Sequence, residues 1–446
     1  MSLAKVINSR TVLIFVLIVV AVFFRIYQLN DRYIFDWDQE DDALKVTEMI
    51  SSHKPRLIGP RVANESGFFV GPFHYYFLTP FFLAFKGNPY AGAYATIFVA
   101  VVTTLVIYIL VSKIYSSKIA FLSAIFYAAS SSVISWNVIY TPMLSIIIFY
   151  LCYLLLNGRK NILPILFFIY SFSLNTHLVP ATLIIPILVS IIISRVKPNP
   201  KQVLLSVFLF IIPFIPLIIF DLRHDFINFL SLRNFILSPK QSFETIHLLF
   251  LRSFWRSINF VFLTNPTLII ITRIFIILVS LYEIFKTRNS KLRIFLLSWV
   301  LAPLLILSIY RGNIPEYYYG TTIIILPILI ALFFNRIKFR FINLIIVLLF
   351  LMAQFQYFNT KTSAITLKNK LNLTKYLVNQ NQDKIFNLSY DLPTGVNSGF
   401  GYLFKYLGRE PQNIPEGHLY SVFMTNNPPK SGHIVYSDNI LGLVRK

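Results

Sequence analysis

The sequence predicts an α-helical polytopic membrane protein with a small α/β domain at its C-terminal end. Three observations predict it. Of 446 residues, 56% are hydrophobic and only 13% charged, against about 25% charged in soluble domains. The apolar residues gather into about eleven stretches near the roughly 20 residues that a spanning helix needs. Between the stretches, basic residues alternate from side to side in the pattern that sets membrane orientation.

The stretches lie near 11–27, 90–112, 119–136, 140–157, 161–176, 178–194, 203–220, 263–285, 293–310, 316–334 and 339–357. The segment 71–86 is apolar too, but it carries Pro72 and Pro80. At about 1.5 Å per residue it reaches only about 24 Å, so it reads as an interfacial or re-entrant helix. With that segment left out and the N-terminus inside, sixteen basic residues and no acidic one fall on six short inner segments, from Lys5 and Arg10 to Arg336, Lys338 and Arg340. The net charge of +22, from 40 Lys+Arg against 18 Asp+Glu, is therefore a topology signal facing membrane lipids, and no nucleic-acid footprint. The first stretch lacks a small-residue cleavage site and reads as an uncleaved anchor.

This places three segments outside: 28–70, 221–262 and the tail 358–446. The tail has helical periodicity near 365–380 and β-like runs at 384–390, 419–424 and 433–438. The expected domains are thus a membrane domain over 1–357, with outer loops 28–89 and 221–262, and an extracytoplasmic α/β domain over 358–446. One cysteine, Cys152, excludes an intramolecular disulfide. Neither GxGxxG nor GxxxxGK[ST] occurs, so the phosphate-cradling loops of soluble nucleotide enzymes are missing.

Residues 35–42 read FDWDQEDD and crowd Asp36, Asp38, Glu40, Asp41 and Asp42 into seven positions. Such crowding is repulsive and costs stability unless a cation, a substrate or a reaction uses it. An EF-hand does not fit, because position 6 is Asp41 in place of Gly and position 12 is Thr47 in place of Glu. A less regular divalent-metal site, a solvated loop and a general base at a membrane-surface active site stay open as readings. At the end of the stretch 203–220, F220-D-L-R-H-D-F226 places Asp221, Arg223, His224 and Asp225 where an apolar helix leaves the bilayer. Ionisable residues there are functional candidates, and Arg223 and His224 could donate to a phosphate. A salt-bridged interfacial cap is the plainer alternative. The loop I309-Y-R-G-N-I-P-E-Y-Y-Y-G320 adds Arg311, a candidate phosphate contact, and Tyr317 in a run of tyrosines that suits an interfacial belt. His74 and Tyr75 are candidates for a sugar or lipid groove, and His177 for a turn cap.

One N-terminal span, an acidic outer loop, a Gly-Pro-led aromatic helix and many further spans together resemble the GT-C membrane glycosyltransferases. The stretch D38-Q-E-D-D-A-L-K-V-T-E-M-I50 is similar to glycosyltransferase family 39, with its protein-mannosyltransferase, aminoarabinose-transferase and Rgt-like relatives. Ala43 and Glu48-Met49 fall in that family's register, which puts its catalytic Asp on Asp38. The sequence departs from the pattern at Gln39, where the family carries Glu, and at Asp42, where it carries an aromatic. L57-I-G-P-R61, G71-P-F-H-Y-Y76 and the 221–225 run resemble a bacterial subgroup, and Glu65 is the nearest counterpart of its second acidic residue. The resemblance implies an inverting, single-displacement transfer from a polyprenyl-phosphate sugar to a lipid, glycan or protein hydroxyl at the outer face of the cell membrane. It implies Asp38 as base, backed by Asp36 or Glu40, with Arg223, His224 and Arg311 on the leaving phosphate. Asp41, Glu65, His74, Tyr75, Asp221, Asp225 and Tyr317 would line the groove. The resemblance makes no cofactor certain, and a divalent metal stays open. The competing expectation is a transporter or flippase, against which stands the clustering of acids in an outer loop; a non-catalytic assembly factor is a third.

Overall fold

The structure, a computed structural model, describes the chain except residues 1–8, 63–66, 131–136, 238–254, 256–257, 259–265, 310–314, 323, 338–339, 361–364, 383, 394, 413 and 415–416. In chain order its helices are α1 (Ser9–Ile26), α2 (Leu29–Arg32), α3 (Trp37–Ser52), α4 (Phe73–Ala84), α5 (Ala91–Ile114), α6 (Ser117–Ala129), α7 (Thr141–Leu156), α8 (Leu163–Thr176), α9 (Ile184–Ser194), α10 (Pro200–Ile211), α11 (Ile215–Arg223), α12 (Ile227–Leu237), α13 (Pro266–Lys286), α14 (Ser290–Ile309), α15 (Ile325–Asn335), α16 (Arg340–Thr360), α17 (Leu367–Gln380) and α18 (Phe400–Tyr406). Each of the eleven apolar stretches holds a helix. Among the described residues, five helical runs are long and apolar enough to cross a membrane: Ala91–Ile114, Asn137–Leu156, Pro200–Arg223, Ser290–Leu307 and Phe341–Asn359. Others are shorter; α6 has 13 residues and α15 has 11, about 20 and 17 Å at the α-helical rise.

Contacts group the chain into two compact units. The first is Met1–Arg25, Arg56–His74 and Ile97–Phe358; the second is Ile26–Pro55, Tyr75–Thr96 and Asn359–Lys446. The tail is therefore not a unit by itself, because the acidic segment and most of α4 group with it.

In the first unit, α8 packs on α10, α6 on α15, and α7 on α8 and α9. Aromatic edges fill its core: Phe149 meets Trp299 at 5.3 Å between ring centroids, and Phe126 meets Phe350 at 5.0 Å. Trp299 is fully buried and donates its indole N–H to Thr321 O at 3.0 Å, which satisfies the one polar atom of that side chain. Asn199, before Pro200, opens α10 with a capping box: its carboxamide accepts from Gln202 N at 2.8 Å, and Gln202 Oε1 accepts from Asn199 N at 3.0 Å. Pro213 lies in the 3₁₀ turn that separates α10 from α11. The polar divider between α8 and α9 is well anchored. Asn175 Nδ2 donates to Pro213 O at 2.7 Å, and Asn137 Nδ2 donates to Thr176 O at 2.7 Å.

The two Gly-Pro motifs meet in this unit. Gly59 N donates to Val70 O at 2.8 Å and Val70 N to Pro60 O at 3.1 Å, while Gly71 N donates to Asn175 O at 2.8 Å. A Cβ on Gly59 would stand 2.0 Å from Gly71 O, and one on Gly71 would stand 1.5 Å from Asn175 Oδ1. Gly59 is required because backbone passes it too closely for any side chain, and Gly71 because the Asn175 carboxamide occupies the place of a Cβ.

In the second unit, four strands, β1 (Phe386–Asp391), β2 (His418–Met424), β3 (His433–Ser437) and β4 (Leu441–Arg445), form one sheet in the order β1-β2-β4-β3. β1 and β2 run parallel; β4 runs antiparallel to both its neighbours. Leu373 and Leu377 of α17, Phe400 and Phe404 of α18, and Phe386, Val422, Leu441 and Leu443 of the sheet make its core. The sequence reading anticipated α17 and three of the strands. It missed α18 and β4, both short segments whose register is set by the sheet: Gly442 leaves room for the Phe423 ring, 2.3 Å from where a Cβ would stand. The acidic run also differs from the loop expected of it. It is the start of α3, and Asp36 N donates to Gln39 Oε1 at 3.0 Å in a capping box. The spacing D-x-x-Q is the signal for such a box.

Gly71→Ala is expected to lower stability by about 1–3 kcal/mol, read as a lower unfolding temperature in detergent. The cost comes through Asn175, so adding Asn175→Ala to Gly71→Ala should cost clearly less than the sum of the single changes.

Candidate active site

The acidic cluster is built on the first turn of α3, in the second unit. Tyr33 and Phe35 lead into it; both are buried, and Tyr33 O accepts from Leu367 N at 2.8 Å. The cluster's main anchor is Lys370, on α17. Its ammonium is fully buried and donates to Phe35 O at 2.9 Å, to Ser398 O at 2.8 Å and to the Asp36 carboxylate. The Phe400 ring lies 5.6 Å from the Nζ. Burial lowers the pKa of this ammonium from its ordinary value, and the Asp36 carboxylate opposes that shift.

Glu40 is a second anchor. Its carboxylate accepts from Gly399 N at 2.6 Å and Tyr402 N at 2.9 Å, so it caps the N-terminal end of α18, where negative charge is favoured. Gly399 has φ +91°, and a Cβ there would stand 2.3 Å from Phe35 O; only glycine combines that conformation with that contact. The Tyr402 hydroxyl donates in turn to Gly87 O at 2.6 Å.

These contacts separate the carboxylates. Asp36 and Glu40, expected to support Asp38 as base, hold Lys370 and the α18 amides. Asp42 is buried. Asp41 is half-buried, accepts from the Tyr75 hydroxyl at 3.4 Å and lies 3.9 Å from Lys45 Nζ. Asp38 is exposed on the first turn of α3, beside Trp37, which is 67% exposed. Sequence reasoning missed Lys370. Its signal is a lone lysine on the face that Leu367, Leu373 and Leu377 otherwise make apolar.

The other candidates belong to the first unit. Asp221 is buried, and its Oδ1 accepts from Asn228 N at 2.8 Å and Phe229 N at 3.4 Å. The Asn228 side chain is bonded to Phe69, accepting from its N–H at 2.6 Å and donating to its carbonyl at 3.3 Å. Asp221, expected in a substrate groove, is thus a backbone clamp. Arg223, His224 and Asp225 are exposed. The His224 ring stacks on Phe220 at 4.2 Å, with Nδ1 2.8 Å from Phe220 O. Asp225 and Phe226 have φ of 52° and 57°, two consecutive left-handed residues that are not glycine. Such strain persists only where the surroundings hold it, and it gathers at functional segments. His74, expected in a groove, is instead buried with Nδ1 2.9 Å from the Tyr140 hydroxyl. Tyr317 is half-buried with its ring 6.0 Å from His177. Arg311 and Glu65 lie outside the described residues. Among the described residues, no group of three His, Cys, Asp or Glu is placed to hold a metal ion.

The helix arrangement and the small C-terminal sheet make this a membrane protein of the GT-C fold. Over 98% of its length the chain is similar to 98% of ArnT from Cupriavidus metallidurans, solved bound to undecaprenyl phosphate, with a TM-score of 0.63 and 12% identity. It is also similar to the oligosaccharyltransferase of Archaeoglobus fulgidus. The match to the complex with zinc and sulfate has a TM-score of 0.53 and 14% identity, covering 90% of this chain and 62% of that one. The match to the form tethered by a disulfide to an acceptor peptide with the NVT sequon has a TM-score of 0.54 and 12% identity, covering 93% and 68%. No family model matches the chain, and no curated protein sequence matches it. At these identities the likeness is one of fold and does not show membership of family 39.

Lys370→Ala strands the Phe35 and Ser398 carbonyls and leaves Asp36 without its cation. It is expected to cost about 3 kcal/mol or more, measured as a fall in unfolding temperature. Lys370→Met, which refills the volume, should recover part of that loss.

Proposed function

We propose that this protein is an integral-membrane glycosyltransferase that moves a sugar from a polyprenyl-phosphate donor to an acceptor hydroxyl. The observation that carries the reading is the whole-length likeness to a GT-C structure solved with undecaprenyl phosphate, joined to an acidic helix start whose two flanking carboxylates are fixed in structural bonds. The basic residues of the short loops support a reading in which the chemistry lies on the outer face of the cell membrane.

In this reading Asp38 takes the proton of the acceptor hydroxyl as its oxygen attacks the anomeric carbon. The bond from that carbon to the phosphate oxygen breaks in the same displacement, and the configuration inverts. Lys370 and Glu40 hold the first turn of α3 and so fix the direction of the Asp38 carboxylate. Trp37 offers a flat apolar face to a sugar ring. Charge builds on the leaving lipid phosphate, and Arg223, His224 and Arg311 receive it with N–H donors.

The test is purified protein mixed with a panel of polyprenyl-phosphate sugars, with release of lipid phosphate as the readout. Asp38→Asn is expected to lower turnover by about 10²–10⁴-fold with the unfolding temperature unchanged. Arg223→Ala should lower kcat/KM by about 10–100-fold, the worth of a hydrogen bond to a charged group. Undiminished turnover in Asp38→Asn would remove it as the base. Ion-coupled flux with no sugar transfer would replace the enzyme with a transporter.

A further inference from the structure

An open cleft of about 640 Å³ lies in the second unit, and Asp38 is not among the residues that line it. Its volume falls within the roughly 300–1,000 Å³ of small-ligand sites. Its walls come from α2, the first turns of α17, the end of β2 and the turn between β3 and β4, and they set polar side-chain ends among a larger share of apolar surface. Asn369, Asn372, Asn426, Asn439, Thr366 and Thr425 supply amides and hydroxyls, while Met424 and Ile440 are its apolar members.

Part of this lining is a rigid frame. Asp438 Oδ1 accepts from Ile440 N and Leu441 N, each at 2.7 Å, which locks the β3–β4 turn. Asp438 Oδ2 accepts from Asn369 Nδ2 at 3.0 Å, which ties that turn to α17. Asn369 Oδ1 accepts from the Thr366 hydroxyl at 2.8 Å, and Thr425 N donates to Ile440 O at 3.0 Å. On the far wall Lys368 pairs with Asp31 at 2.9 Å. The cleft is thus formed before any ligand arrives, which spares the ordering cost of binding.

The remaining groups define the ligand. Asn372, Asn426 and Asn439 are exposed, and Asn439 joins that frame through its carbonyl, which accepts from the Thr425 hydroxyl at 3.1 Å. Each carboxamide presents a donor and an acceptor side by side, the complement of two neighbouring hydroxyls. Charge excludes other occupants. Asp31 is neutralised by Lys368, and Asp438 remains, so an anion meets repulsion. The two carboxylates are already engaged by an ammonium, backbone amides and Asn369, which leaves a cation without a ligand set.

We propose that this cleft is a binding site for a neutral, hydroxyl-rich saccharide, separate from the residues assigned to transfer. Saccharide binding here does not require the donor, the base or turnover, so it stands or falls independently of the catalytic reading. The experiment uses the full chain carrying Asp38→Asn, reconstituted in phospholipid nanodiscs to avoid sugar-headed detergents. Neutral tetrasaccharides of glucose, mannose, galactose and N-acetylglucosamine are titrated and followed by saturation-transfer NMR, with a glucuronate-containing tetrasaccharide as the charged control. At least one neutral saccharide is expected to bind saturably, and the control is not. Asn372→Leu combined with Asn426→Leu should weaken binding by about tenfold or more, at about one hydrogen bond lost per amide, with the unfolding temperature unchanged. No saturable binding of any neutral saccharide up to about 10 mM, equal binding by the double variant, or preference for the charged control would each overturn the proposal.

Discussion

A buried ammonium must be met on every side or not be buried at all. Lys370 meets that demand with two backbone carbonyls and one carboxylate, drawn from two distant parts of the chain: the adjacent Phe35 and Asp36, and Ser398. Much of the second unit follows from this single requirement. Phe35 must present its carbonyl inward, which fixes the entry to α3. Ser398 must turn its own, which brings Gly399 and the start of α18 against Phe35 and within reach of Glu40. Hydrophobic contacts alone would tolerate sliding between these pieces; directional bonds to a desolvated charge do not.

The consequence for the acidic cluster is a division of labour. Five carboxylates in seven positions repel one another, and the structure relieves the repulsion by giving several of them separate partners. Asp36 answers the ammonium, Glu40 caps α18, and Asp41 receives the Tyr75 hydroxyl. Asp221, in the other acidic run, is likewise committed to backbone amides. Composition treats these residues as equivalent, and only the partners distinguish them.

Sequence and structure agree where local pattern governs. Each apolar stretch contains a helix because length and hydropathy decide that outcome without tertiary help. β1, β2 and β3 were visible in their apolar, β-branched and aromatic runs. α18 and β4 were not, because seven and five residues carry too little periodicity, and α18 is capped by Glu40, far along the chain. The candidate site divides in the same way. Asp38 stood out by its register, whereas the bonds of Asp36 and Glu40 depend on Lys370 and Gly399, which lie 334 and 359 residues away. The capping spacing from Asp36 to Gln39 was present in the sequence but was masked by the acidity around it.

That separation also sets an order of assembly. Chains emerge from the ribosome N-terminus first, at about 5–20 residues per second, so Asp36 is made roughly 15–70 s before Lys370. Throughout that interval the acidic helix start exists without the ammonium that fixes it and without the amides that Glu40 caps. A chain halted before residue 370 therefore carries every residue of the acidic cluster but not its geometry. The clasp acts as a completion check: the acidic helix start acquires its native form only when the tail has been made and folded against it.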